Sequence, residues 1–260
     1  MKFRPLAHIL RKQPAFWIAS ALLVGLAGWW GVRSCQRKPD PQRWTFIPGF
    51  GIRLPMRYAL HGIDVSRHNS RIDWPRVAEM QANGLKISFV FIKATEGATR
   101  TDPQFSRNWR EAGRLGLRRG AYHFYHPTRD PIKQANNFMK QVRLEKGDFV
   151  PVLDFEVLNG VPDDDILDGL HRWLDAVEDQ YGMKPIIYTN GYLYRRFIKN
   201  HLADYPLWVA DYSTSHPGLY RSDNLFIWQH NQSGRIDGIR GLVDFNVLVP
   251  DSARLNEICL

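Results

Sequence analysis

The chain has 260 residues, 44% of them apolar, with 35 Lys and Arg against 26 Asp and Glu, a formal charge of +9, and two cysteines. That length and apolar content suit one barrel-sized domain with an appendage, and two cysteines exclude a disulfide framework. Eight cations and one acid, Asp40, fall within residues 1–45, a net +7, so the remaining +2 is too evenly balanced for a broad nucleic-acid footprint.

In chain order, residues 1–14 are a basic segment containing Lys2, Arg4, Arg11 and Lys12. Residues 15–32, AFWIASALLVGLAGWWGV, hold no charge. As a helix these 18 positions would span about 27 Å, close to the hydrocarbon thickness of a bilayer. Trp17 at one end and Trp29 with Trp30 at the other stand where interfacial aromatics lie. A transmembrane helix is therefore expected. No small-x-small site follows it, and Arg33 stands where a lipoprotein box before Cys35 would place a small or apolar residue, so a retained anchor is expected rather than a cleaved signal. Arg33, Arg37, Lys38 and Arg43 balance the cations on the other flank, and charge does not orient the segment. Residues 33–57 lack a sustained period and are expected to be a linker.

From residue 58 to 253, apolar runs at 60–65, 87–93, 119–125, 149–156, 185–189, 207–211, 225–229 and 240–245 predict eight strands. Helix-length segments starting at Asp73, Asp102 and Asp163 separate the earlier ones, with Asp73 and Asp102 expected as N-caps ahead of early prolines and Asp163, Asp164 and Asp165 favouring a helix N-terminus. After Asp211 the gaps shorten and lose helical period. The expected fold class is thus α/β, a modified, TIM-like β/α barrel whose last strands lack covering helices. Residues 254–260 are expected to be a C-terminal tail.

In such a barrel the strand ends carry the site. The run FVPVLDFEV at 149–157 places Asp154 and Glu156 two apart in an apolar strand, hence on one face, where their repulsion is expected to raise the pKa of one of them so that it holds its proton near neutral pH. Other strand ends offer Asp64, Lys93, His123, Tyr125, Tyr188, Trp208, Asp211, Gln229, Asp244 and Asn246. Four acids, Asp64, Asp154, Glu156 and Asp244, around a mouth of Tyr and Trp point to glycoside hydrolysis. Taken singly, Asp64 and Asp244 also fit turn caps and the aromatics also fit a core. No H-E-x-x-H, no His/Cys cluster, no G-x-S-x-G and no P-loop occurs, which weakens metal-dependent, serine-hydrolase and nucleotide readings.

The ordered set GIDVS (62–66), FIKATEG (91–97), GAYHFYHP (120–127), VLDFE (152–156), IIYTN (186–190), LWVADY (207–212), IWQH (227–230) and VDFN (243–246) resembles the glycoside hydrolase family 25 lysozymes. The resemblance implies a modified β/α barrel and hydrolysis of the β-1,4 bond between N-acetylmuramic acid and N-acetylglucosamine in peptidoglycan, without metal or organic cofactor. It implies Glu156 as the general acid, with Asp154, Asp64 and Asp244 as the other acidic site residues. It favours a mechanism in which Asp154 orients the substrate's own acetamido group over one in which it stabilises the sugar cation directly. Expected partners are peptidoglycan glycan strands and, through residues 15–32, the cytoplasmic membrane, with the barrel on its outer side. Two rivals remain open: a tethered binding protein without activity, and a glycosidase for another N-acetylated polymer.

Overall fold

The computed structural model describes residues 43–220, 224–250 and 252–260. The expected membrane segment, the basic segment before it and Cys35 lie outside these residues. Among the described residues no helix is long and apolar enough to cross a membrane.

The described elements are β1 (Trp44–Ile47), β2 (Ile52–Pro55), β3 (His61–Val65), α1 (Trp74–Glu79), β4 (Ile87–Glu96), β5 (Arg100–Thr101), α2 (Phe105–Arg114) and β6 (Arg118–Phe124). They continue with α3 (Pro131–Gln141), β7 (Val152–Asp154), α4 (Asp163–Tyr181), β8 (Ile186–Asn190), β9 (Leu207–Ala210), β10 (Leu225–Gly234) and β11 (Val243–Leu248). Short helical turns fill residues 191–201.

Eight strands close a barrel in the order β3-β4-β6-β7-β8-β9-β10-β11, with β11 returning to β3. The first seven run parallel, while β11 is antiparallel to both neighbours. The eight expected strands are all present, and helices cover the earlier ones only. The last strand begins later than expected, at Val243, and its reversed direction brings its N-terminal end to the rim formed by the C-terminal ends of the others. This reversal lets the short loop between β10 and β11 replace a helical crossover.

Inside the barrel, Phe89, Phe91, Val152, Ile186, Trp208 and Ile227 form one buried cluster. Glycines make room for the rings: a Cβ on Gly62 of β3 would lie 2.3 Å from the Phe89 ring, and one on Gly120 of β6 would lie 2.3 Å from the Phe91 ring. A larger cluster lies between strands and helices. α4 contributes Ile166, Leu170, Trp173, Leu174 and Val177 to it, the spacing of a single apolar stripe. The three acids Asp163, Asp164 and Asp165 occupy the first turn of α4, and left-handed Gly182 ends it. Asp73 precedes α1 as expected, although its side chain makes no capping bond. Asp102 is not the N-cap of α2, which is Gln104. Its buried carboxylate instead accepts from the Gln104 and Arg67 amides, both at 2.8 Å, and ties the loop after β3 to α2.

Two segments read as connectors belong to the packed domain. Residues 44–55 form the hairpin β1–β2, which buries Ile47, Phe50, Ile52 and Leu54. Phe50 packs on Phe245 at 5.3 Å between ring centroids, Trp44 packs on Trp228 and His230, and the Phe50 carbonyl accepts from the Arg235 amide at 2.9 Å. The hairpin thereby covers the outer face of β10 and β11, where no helix follows. Of its four-residue strands, β1 buries Ile47 alone and β2 buries Ile52, Leu54 and Pro55, too short a pattern for a visible period. Residues 254–260 likewise do not hang free. The Ile258 carbonyl accepts from Val150 at 3.0 Å and the Leu260 carbonyl from Gly147 at 2.8 Å, so Leu255, Ile258 and Cys259 join the barrel interior at the end opposite the rim. Burying residues of this size contributes about 1.5–3 kcal/mol each.

Candidate active site

The strand predicted at 149–156 is shorter. Pro151 lacks an amide donor, and Val150 bonds to the C-terminal segment, so β7 starts at Val152 and its regular part ends at Asp154. Pairing nevertheless continues past it, since the Phe155 amide donates to the Tyr188 carbonyl at 2.9 Å. That extension preserves alternation. Phe155 is buried in the helix-side cluster, while Asp154 and Glu156 line the same cleft.

The cleft is a cavity of about 350 Å³ at the barrel rim, and it contains all four acids. Asp64 on β3 and Asp244 on β11 are direct cross-strand partners. Asp64 Oδ2 accepts from Gln229 Nε2 at 2.7 Å and from Asn246 Nδ2 at 2.8 Å. Each of those amides is turned by a donor behind it. Trp208 Nε1 donates to Asn246 Oδ1 at 2.8 Å, and the hydroxyls of Tyr188 and Tyr212 donate to Gln229 Oε1 at 2.9 and 2.5 Å. Because indole nitrogen can only donate, it leaves the Asn246 amino group for Asp64. Gln229 and Asn246 therefore act from beneath the cleft, coupling its aromatic wall to Asp64.

Burial raises the pKa of every acid here. Asp64 is pushed well up by burial and then by the charge of Asp244, against the two amide bonds that favour its ionised form. Asp244 rises to about 6 through burial and the charge of Glu156. Asp154 is pushed well up by burial and by Glu156, with Lys93 opposing. Glu156 rises through burial, with the Tyr188 hydroxyl and Lys93 opposing. Tyr188 has one proton to give, directed at Gln229 in this geometry, so it serves Glu156 only by turning from Gln229.

Burial weighs unequally on the central pair. Asp154 is 5% exposed and its Oδ1 has no hydrogen-bond partner, whereas Glu156 is exposed at the mouth although protein atoms crowd its cleft side. Burial, rather than the charge of Asp154, is thus the first cause of the raised pKa of Glu156. Burial favours a proton on Asp154 first, and a donor reaching its unpartnered oxygen would favour the carboxylate and shift the proton balance toward Glu156.

Of the residues expected from sequence, Asp64, Lys93, Asp154, Glu156, Tyr188, Trp208 and Asp244 line the cleft. Gln229 and Asn246 lie beneath it, bonded to Asp64, and the remaining three stand apart from it. His123 is fully buried on the helix side, stacked 5.6 Å from Trp173 and bonded to Thr95 Oγ1 at 2.7 Å and Gln134 at 3.2 Å. Tyr125 is buried against α4, where a Cβ on Gly169 would lie 2.4 Å from its hydroxyl. Asp211 accepts from Tyr220 at 2.7 Å and from Ser213, bracing the loop that carries Tyr212 to the cleft. The lining residues missed are Ser66, His68, Tyr122, Phe124, Tyr212 and Gln232. Along β6 both alternating sets are aromatic and polar, so hydropathy could not tell which set faces inward; Gly120, opposite Phe91, marks the inward parity. Among the described residues no group of His, Cys, Asp or Glu is arranged to hold a metal ion.

The sequence pattern described as Glycosyl hydrolases family 25 matches residues 63–239. An uncharacterised protein, YegX, of Escherichia coli (strain K12) is 43% identical over 203 residues, 77% of this chain and 74% of that one. The autolytic lysozyme of Clostridium acetobutylicum is 30% identical over 187 residues, 72% of this chain and 55% of that one. Among solved structures, a family 25 glycosyl hydrolase from Bacillus anthracis superposes with a TM-score of 0.69 at 28% identity, covering 78% of this chain and 95% of that one.

Proposed function

This chain belongs to glycosyl hydrolases family 25, and on that premise we propose that it is a lysozyme-type muramidase whose cleft cuts the β-1,4 bond between N-acetylmuramic acid and N-acetylglucosamine in peptidoglycan. The observation that carries the reading is the convergence of four acids in one cavity, one of them with a buried oxygen left without a partner.

In the proposed reaction the muramoyl acetamido N–H donates to Asp154 Oδ1. Asp154 then ionises, and Glu156 holds the proton. Glu156 transfers that proton to the glycosidic oxygen as its bond to C1 breaks, and the departing sugar leaves as an alcohol. The acetamido oxygen closes on C1, and Asp154 stabilises the positive charge that the ring nitrogen gains. Water next attacks C1, gives its proton to Glu156, and restores the acetamido group. Asp64 and Asp244 hold the sugar and set the charge of the floor. Tyr212, exposed at the mouth, offers a flat face to the rings, while the buried Tyr188 and Trp208 form the wall below it.

Digesting purified peptidoglycan and chitin in parallel, with mass analysis of the new reducing ends, tests this assignment. The expected product is muramic acid at reducing ends from peptidoglycan, with little release from chitin. Equal release from chitin would give the other-glycosidase reading the advantage. Binding to peptidoglycan with no product from the folded protein would leave a tethered binding protein.

The apolar stretch 15–32 supports a further part of the proposal, a single-pass anchor in the cytoplasmic membrane with the barrel outside, where peptidoglycan lies. A reporter fused after Leu260 should be active only on the outer side. Activity confined to the cytoplasm would overturn it.

A further inference from the structure

Beside the cleft lies a second cavity of about 420 Å³, lined among others by Glu96, Gly97, Arg100, His126, Thr128 and Arg129. The two are adjacent through one ion pair: Lys93, which lines the cleft, donates to Glu96 Oε2 at 2.7 Å. The walls are held from below by α3. Asn137 Nδ2 donates to the carbonyls of Gly97 and Arg100 at 3.0 and 3.1 Å. One turn earlier, Gln134 Nε2 donates to the carbonyls of His126 and Arg129 at 3.0 and 3.1 Å, and its Oε1 accepts from the His126 amide at 2.9 Å. Both amide side chains are buried. The β4–β5 turn and the loop after β6 are thereby fixed relative to each other, and the cavity exists before any ligand arrives.

Its charge is unbalanced. Glu96 is the one carboxylate in the lining, and Lys93 at 2.7 Å and Arg100 at 2.8 Å already engage it. Arg129 is exposed, and no carboxylate among the described residues pairs with its guanidinium; Asp130 beside it caps α3 by accepting from the Lys133 amide at 2.8 Å. In the lining two arginines thus face one acid, which Lys93 also engages from the cleft side, and Thr128 lines the same cavity. A cavity of this kind takes an anion with hydrogen-bonding backbone around it.

We propose that this cavity receives the peptide stem of peptidoglycan through the stem's carboxylates, with Arg129 as the principal contact. The inference rests on the muramidase reading above and deepens it by naming what distinguishes the substrate from an unsubstituted sugar polymer. The stem branches from the muramic acid ring, and two or three extended residues reach about 10 Å, along the side where the Lys93–Glu96 pair joins the cleft to the neighbouring cavity. Chitin carries no carboxylate and would leave the cavity unused.

The test compares kcat/KM on glycan strands bearing stems with kcat/KM on the same strands after an amidase has removed them. The wild type should prefer stem-bearing strands, and added salt should shrink that preference. Arg129→Glu should lower the ratio about tenfold, while Arg129→Lys should keep most of it. The side chain is exposed and only the backbone carbonyl is used by Gln134, so both variants should melt like the wild type. An unchanged ratio in Arg129→Glu, with both substrates hydrolysed, overturns the stem site and leaves the muramidase reading standing. If the wild type turns over neither substrate, the muramidase reading fails by itself. Calorimetric titration of the disaccharide-peptide against the stem-free disaccharide then decides the cavity: tighter binding of the former that Arg129→Glu abolishes supports it, and equal binding sinks it.

Discussion

Glu156→Gln should reduce peptidoglycan turnover by about 10²–10⁴-fold, the range that a positioned proton donor supplies, equivalent to about 3–5 kcal/mol of transition-state stabilisation. The amide keeps the shape and polarity of the side chain but has no proton to transfer. Glu156 lies at the mouth and accepts no structural hydrogen bond from a backbone amide, so the fold has little to lose. Since burial raises the pKa of Glu156, the charge it carries above that pKa is a cost to the folded state, and its removal should leave the melting temperature unchanged or higher. Sugar binding should survive. The measurement pairs turnover with equilibrium binding of a soluble disaccharide-peptide, after a thermal melt. Turnover near that of the wild type would overturn the assignment of the acid.

Asp154→Asn should be nearly as severe in rate but should differ in its pH signature. The proposed reaction needs Asp154 ionised while Glu156 stays protonated, which makes the profile bell-shaped with limbs that belong to the pair. Replacing Asp154 with a neutral group removes the acid-side requirement. It also removes a neighbouring negative charge, so the pKa of Glu156 falls and the alkaline limb moves to lower pH. Stability supplies an independent check. The folded pKa of Asp154 is raised above its unfolded value, so the folded state binds more protons between those two values, and stability is lost as pH rises through that window. The variant lacks this loss. Its melting temperature relative to the wild type should therefore climb as pH rises above about 3.9, the unfolded aspartate pKa. A variant with unshifted limbs and a constant melting difference would show that Asp154 carries no charge during turnover.

The eight strands were legible because each is a short apolar run bounded by turns or amphipathic segments. Asp154 and Glu156 stood out for the same reason, as charges inside such a run. Alternation placed them on one face although the regular strand ends at Asp154, because backbone pairing continues through Phe155. His123 and Tyr125 were misplaced because β6 carries aromatic and polar residues on both faces, and only the neighbours of Gly120 reveal its parity. The hairpin at 44–55 and the barrel floor at 254–260 escaped notice because their strands and turns are shorter than any period that hydropathy can show.

Strand identity, strand order and the four acids were thus determined by sequence, since local pattern and spacing depend on residues close together in the chain. Tertiary structure alone decided that β11 runs backwards and sets Asp244 against Asp64. It also decided that Gln229 and Asn246 support Asp64 from below and that Asp154 is the more deeply buried of the central pair. Those features depend on partners up to 182 positions away, and desolvation is a property of everything packed around a group rather than of its own neighbours in the chain.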